Sequence, residues 1–279
     1  MSLYKYIYLS KILIYYINYY MKKLKLIDKL SSNLAKAFLS NKIINPVPLR
    51  FSKNINLANK LRKLSESKIN KPIIGFKAGG TSIAVLKKLG EKEPFYASVY
   101  KHNFLKSGKS VKINKFTLGI ELEVCYLIKK KFFQSKKPIT IRNIVKYISH
   151  MAPCIEVVGY RQRKKGITYL GDICGDFGAN VKFLIGSKKK FKKINIKNLK
   201  TNITHKQSDL SINGNTNTVY KNPLNSCRFV LTKLKKDKIN LDTDFYIFTG
   251  STVGVVPIKT KGLYSGKIDK LGSVSTLIN

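Results

Sequence analysis

Three glutamates stand in stretches that otherwise consist of apolar strand residues. Glu121 and Glu123 lie one residue apart in TLGIELEVCYLI (117–128), and Glu156 sits in MAPCIEVVGYR (151–161). Both stretches are rich in β-branched residues and read as strands, in which positions i and i+2 share a face. Two carboxylates held that close repel, unless a cation lies between them or one is protonated. A lone carboxylate in an apolar strand is costly unless it is paired or ligating. Three of them converging on one point would make an oxygen-rich site for a hard divalent cation such as Mg²⁺ or Mn²⁺. Ion pairing with lysines is the competing reading, and spacing alone leaves both open.

The chain has few carboxylates to place. It holds 54 Lys and Arg against 14 Asp and Glu in 279 residues, for a net charge of +40, and six of the acids are glutamates. Arginine occurs at only six positions (50, 62, 142, 161, 163 and 228), so the excess is lysine, spread among many Ile, Asn and Tyr. That resembles the amino-acid drift of an AT-rich genome. Phosphate or base recognition usually recruits arginine's planar fork as well. A solvated basic surface is expected, and nucleic acid is not expected as a partner. Cys125, Cys154, Cys174 and Cys227 form no CxxC motif and read as structural thiols of a reducing compartment.

The elements that must position these groups fall into three segments. Residues 1–20 are apolar and Tyr-rich but interrupted by Lys5 and Lys11, with no cleavage site after them. They read as a dispensable leader or an over-extended start, without stable membrane insertion, since MKKLKLIDKL from Met21 resembles an ordinary beginning. Residues 21–70 have helical periodicity, with Ile27, Leu30, Leu34 and Phe38 in one stripe and Leu57, Leu61 and Leu64 in another. Residues 71–279 form a β-rich body. Strands are expected at 111–117, 118–128, 154–159, 180–185, 244–249 and 254–259, with helices near 140–150 and 223–236. Asn213–Gly214 signals a hairpin turn. KPIIGFKAGGTS reads as a strand entering a Gly-rich turn, with Thr81 or Ser82 capping a short helix.

GIELEV, then APCIEVVGYR, preceded by GFKAGGTS, resembles the fumarylacetoacetate hydrolase superfamily, and within it the 2-keto-4-pentenoate hydratase and oxalocrotonate decarboxylase group. The resemblance covers roughly residues 22–279, including GDICGDFGANVKFLIG, KNPLNS and DFYIFTGS. It implies an α+β fold: a mixed β-sandwich or β-roll of that superfamily's C-terminal type, with a small helical N-terminal part. It implies Glu121, Glu123 and Glu156 as ligands of Mg²⁺ or Mn²⁺, and Lys77 as the active-site lysine. Asp176 matches a recurrent aspartate that would orient Lys77 or a water. Thr249 and Gly250 match a substrate-side pair, and Gly79, Thr81 and Ser82 lie in the turn that would offer N–H groups to a substrate carboxylate.

The expected activity is that of a cytoplasmic, metal-dependent lyase on an unsaturated 2-oxo or 2-hydroxydienoic acid from aromatic breakdown. In it the ion would act as a Lewis acid on the developing enolate. Lys77, beside a cation and among apolar residues, is expected to have a lowered pKa. Oxalocrotonate-type decarboxylation and acylpyruvate-type hydrolysis are alternatives, as is a basic binding protein on the same fold. Hydratases of the group often carry an aspartate after a motif like EPFYASVY, where this chain has Lys101, His102 and Asn103. A homo-oligomer is expected.

Overall fold

The computed structural model describes residues 3–162, 167–192 and 194–279. Its helices are α1 (Leu3–Ser40), α2 (Leu49–Lys53), α3 (Ile55–Ser67), α4 (Ile83–Lys88), α5 (Ile141–Ile144), α6 (Leu170–Gly175) and α7 (Pro223–Lys236). The first strands are β1 (Ile73–Gly79), β2 (Phe95–Tyr100), β3 (Phe104–Lys106), β4 (Ser110–Val111), β5 (Thr117–Ile128), β6 (Ile148–Gly159) and β7 (Asn180–Ile185). The rest are β8 (Lys189–Lys190), β9 (Lys200–His205), β10 (Leu210–Asn215), β11 (Phe245–Ser251), β12 (Val256–Pro257), β13 (Gly262–Ile268) and β14 (Gly272–Ile278).

The larger sheet runs β2-β1-β11-β5-β6-β7-β3, with β12 beside β5 and β8 beside β6, and the smaller runs β10-β9-β13-β14-β4. Parallel pairs (β1 with β11, β3 with β7, β4 with β14) mix with antiparallel ones in both. The class is therefore α+β with mixed sheets, as expected.

The alternation along β5 decides where the core lies. Ile120, Leu122, Val124, Tyr126 and Ile128 turn to one face and join residues of the smaller sheet, among them Ile203, Tyr264 and Val274, and Val230 and Leu234 of α7. A Cβ on Gly266 of β13 would stand 2.6 Å from Leu122, so the two sheets touch there. Burying a leucine of this kind contributes about 1.5–3 kcal/mol. The other face of β5 is left for Glu121, Glu123 and Cys125.

The helices form where caps and stripes direct them. Asn54 accepts from the Asn56 and Leu57 N–H groups at the start of α3, and Asn222 accepts from Leu224 ahead of Pro223 in α7. Ile27, Leu34 and Phe38 of α1 bury against Leu61 of α3, Tyr100 and Phe177. α1 runs unbroken across the expected boundary at residue 20, and residues 13–18 are exposed all round. No helix among the described residues is long and apolar enough to cross a membrane.

Four local expectations are corrected. Asn213–Gly214 is inside β10, paired with Asn202 and Thr201, and the turn joining β9 to β10 lies at Lys206–Asp209, where Asp209 has φ 48°. Gly214 is required by close approach, since a Cβ there would be 2.2 Å from Thr252 O. The helix expected near 140–150 is one α turn, Ile141–Ile144, continued by a 3-10 turn at Val145–Tyr147, and it ends there because β6 begins at Ile148 and pairs with Ile128 of β5. The strand expected at 111–117 is only Ser110–Val111, since Thr117 N–H closes a turn on Asn114 O. The strand expected at 254–259 is reduced to Val256–Pro257, beside Ile120 and Gly119.

Candidate metal centre and substrate cavity

Antiparallel pairing of β5 with β6 sets Glu121 opposite Glu156 and Glu123 opposite Cys154. Opposed residues share a face, so the three glutamates meet, with one carboxylate oxygen from each within 4.8 Å of the others. Glu123 and Glu156 are fully buried, and Glu121 is partly exposed.

Lys77 arrives from β1, three strands away from β6. In a flat sheet that is about 14 Å, yet Lys77 Nζ lies 2.6 Å from Glu156 Oε1. The two long side chains cover much of that gap, and since side chains stand off the sheet rather than lie along it, the face they share is concave. One bend lies on β11, where the register against β5 shifts between Phe248 and Ser251. Gly250 occupies that shift at φ +102°, and a Cβ there would sit 2.0 Å from Thr81 Oγ1. Only glycine lets β11 pass the turn after β1.

Burial pushes all three carboxyl groups up, against the pull of Lys77: Glu123 to about 7, Glu156 well above its ordinary value, and Glu121 in the same direction. Burial also opposes the Lys77 charge, but Glu156, Glu121 and Glu123 outweigh it and hold the ammonium above the ordinary lysine value. The lowered pKa expected from the sequence belongs to Lys77 beside a bound cation; the three carboxylates by themselves raise it.

Neither Glu123 oxygen has a hydrogen-bond partner, and Glu156 Oε2 has none. The Gly250 backbone and the Glu156 carboxyl lie near Glu123 without meeting hydrogen-bond geometry. Among the described residues, Lys77 is the only cation paired with the triad. Three carboxylates against one ammonium leave two negative charges, and orphaned buried carboxylate oxygens cost several kcal/mol each if ionised. A divalent cation meets both needs. Oxygens 4.8 Å apart can share one ion, whose ligands lie at about 2.0–2.6 Å. The donor set fits a hard cation.

Lys77 Nζ also donates to Gly178 O at 2.8 Å. Gly178 is central in the turn Phe177–Gly178–Ala179, where φ is 53°, 71° and 60°. Three consecutive left-handed residues, two of them with side chains, are strained and persist only when the surroundings hold them. Asp176 helps to hold them, and does not reach Lys77 as expected. Its buried carboxylate accepts from Arg161 N and Arg161 Nη1, so its effect on the lysine runs through the turn. Burial raises Asp176 above the ordinary aspartate value despite Arg161.

A cavity of about 500 Å³ opens above these groups, with Lys77, Glu121 and Gly178 on its wall. Gly79, Thr81, Ser82 and Gly250 line it too, while Thr249 does not: its hydroxyl donates to Val124 O and its carbonyl accepts from Ser226. The Ser82 hydroxyl accepts from Val85 N–H at the start of the short α4. His102 lies elsewhere, against Phe38 and Tyr100. Arg161 and Asn180 were missed by the sequence reading. The one signal that could have marked Arg161 is its rarity, as an arginine in a lysine-rich chain just after the Glu156 strand.

No family model matches the chain. It is 25% identical over 218 residues to a 2-keto-4-pentenoate hydratase of Burkholderia vietnamiensis, covering 77% of this chain and 80% of that protein. A second such hydratase, from Paraburkholderia phymatum, is 24% identical over 72% of this chain and 76% of its own. A 4-oxalocrotonate decarboxylase from Pseudomonas putida G7, solved with magnesium and adipate, superposes with a TM-score of 0.79 at 20% identity, over 91% of this chain and 98% of that one. A fumarylpyruvate hydrolase from Pseudomonas aeruginosa, solved with Mn²⁺ and pyruvate, gives a TM-score of 0.56 at 11% identity, over 76% and 91%. These findings bear out the resemblance expected from the motifs.

Proposed function

From the premise that this chain is a relative of the hydratase and decarboxylase group of the fumarylacetoacetate hydrolase superfamily, we propose a Mg²⁺- or Mn²⁺-dependent lyase of the 2-keto-4-pentenoate hydratase type. Its substrate is an unsaturated 2-oxo or 2-hydroxydienoic acid. The observation that carries this reading is the buried triad of Glu121, Glu123 and Glu156 with orphaned oxygens beside an ammonium. The curled larger sheet backed by the smaller one supports the β-roll description, and α1 to α3 the helical N-terminal part.

Glu121, Glu123 and Glu156 would hold the ion. Bound there, it supplies Lewis acidity to the C2 oxygen and carboxylate of a 2-oxo acid. Lys77 carries a proton on Nζ at the cavity wall, fixed from two sides by Glu156 Oε1 and Gly178 O. A group so held is oriented to exchange that proton with a substrate carbon or oxygen. The Gly79–Ser82 turn and Gly250 bound the cavity beside it, where substrate binding excludes water.

Hydration and decarboxylation both draw on this arrangement. The test is an ultraviolet assay with Mg²⁺ or Mn²⁺ over 2-hydroxypentadienoate, oxalocrotonate and acylpyruvates. Turnover of 2-hydroxypentadienoate that vanishes in Glu123→Ala is expected. Metal-independent turnover, or none of any of these acids, would sink the reading.

A further inference from the structure

α1 is longer than the body it packs against. Its burial begins at Ile27, whereas its described side chains from Leu13 to Lys25 are exposed. Leu13, Ile14, Tyr15, Tyr16 and Ile17 stand 52–68% exposed. Successive residues of a helix point about 100° apart, so these five cover its whole circumference. A helix that is apolar on every side belongs in apolar surroundings, and an exposed run of this kind has no place on an ordinary wetted surface. Tyr8, Met21 and Leu24 are exposed as well. Eight of the 17 exposed large apolar side chains among the described residues thus lie in this one stretch. The next turns change character, with Lys22, Lys23, Lys25 and Lys29 all exposed.

We propose that the N-terminal part of α1 docks on an anionic lipid bilayer. Leu13–Ile17 enter the boundary between headgroups and acyl chains, and the lysines that follow meet the headgroups. Three observations select this occupant. Tyrosine joins an apolar ring to a hydroxyl that favours water, which suits that boundary, and seven of the chain's 16 tyrosines fall within residues 1–20. Ile17 and Lys22 lie about 7.5 Å apart along the axis, comparable with the roughly 5–10 Å to which interfacial helices sink. The lysines complement the charge of anionic headgroups. Lys5 and Lys11 interrupt the apolar sequence, and no described helix is long and apolar enough to cross a membrane, so the helix lies at the surface. A second copy of the chain fits less well. Pairing along a seam through Leu13 and Ile17 leaves Tyr15, on the opposite side, in water.

The chain contains no tryptophan, so Tyr16→Trp supplies a single reporter on the helix itself. Its emission is read with phosphatidylcholine vesicles containing about 30% phosphatidylserine, at about 0.5 M NaCl to screen attraction by lysines of the body. A blue shift on adding vesicles is expected. Adding Leu13→Asp and Ile17→Asp, both at exposed positions, is expected to abolish the shift and to weaken co-sedimentation roughly tenfold or more. At about 0.1 M NaCl, Lys22→Gln, Lys23→Gln and Lys25→Gln together are expected to weaken binding roughly tenfold. Emission that does not move with vesicles overturns the proposal. So does equal co-sedimentation of the aspartate variant at high salt, which would place the binding on the body. A blue shift that grows with protein concentration without vesicles, with a doubled mass in light scattering, overturns it in favour of a second copy. Undiminished binding of the glutamine variant overturns the headgroup contact.

Discussion

Asp176 accepts hydrogen bonds from Arg161 at two points, the backbone N–H and Nη1, and makes none to Lys77. Arg161 Nη2 donates to Asn180 O, and the Asn180 side chain donates to Phe177 O at 2.7 Å. The network closes around the left-handed turn that carries Gly178 O to the lysine. Asp176→Asn keeps the shape and leaves a buried guanidinium without its counter-charge. Denaturant titration should show a loss of about 3–5 kcal/mol. A variant that unfolds like the parent would show that the turn is held by other contacts.

Glu123 is the sharpest probe of the metal. Glu123→Gln removes a buried charge that no hydrogen bond compensates, so the metal-free protein should be as stable as the parent or more so. The parent should gain stability with added Mn²⁺, by about 2.7 kcal/mol at a hundred times Kd, and the variant should gain none. Thermal melts with and without Mn²⁺ read this directly. An undiminished Mn²⁺ effect in the variant would place the ion elsewhere.

Lys77→Ala separates proton transfer from binding. kcat should fall by ~10²–10⁴. Mn²⁺ affinity should be retained or increased, since a positive charge 2.6 Å from Glu156 is removed. Steady-state kinetics beside a Mn²⁺ titration tests both. If kcat stays within about threefold of the parent, well short of that loss, the lysine does not carry the proton.

Gly250→Ala should damage the site through shape alone. The added methyl would stand 2.0 Å from Thr81 Oγ1, at a φ that L-residues rarely adopt. A loss of at least ~1–3 kcal/mol follows from the backbone strain, together with weaker substrate binding as the turn moves. A crystal structure of the variant with Thr81 unmoved would contradict this account.

The first twenty residues should be removable. α1 gains its burial from Ile27 onward, and residues 13–18 are exposed. A chain beginning at Met21 should melt within about a degree of the parent, because surface changes away from packed contacts are usually within ±0.5 kcal/mol. A large drop would show that these residues pack against the body.

Periodicity made the glutamate cluster legible in the sequence. Alternation puts Glu121 and Glu123 on one face whatever the fold, and a carboxylate in an apolar strand needs a partner, which singled out Glu156. The motifs around them supplied Lys77 and the Gly-rich turn through a resemblance to known sequences. The partners of these residues could not be read in this way. Nothing local brings Lys77 to Glu156 across three strands, since that depends on how far the sheet curls around Gly250. Nothing local couples Asp176 to Arg161 instead of Lys77. Asn213–Gly214 has the composition of a turn, yet cross-strand pairing and the approach of Thr252 O keep it extended. Spacing along the chain fixes which face a side chain takes. Which other face it meets is decided by strand order and sheet curvature, and these exist only once distant segments have paired.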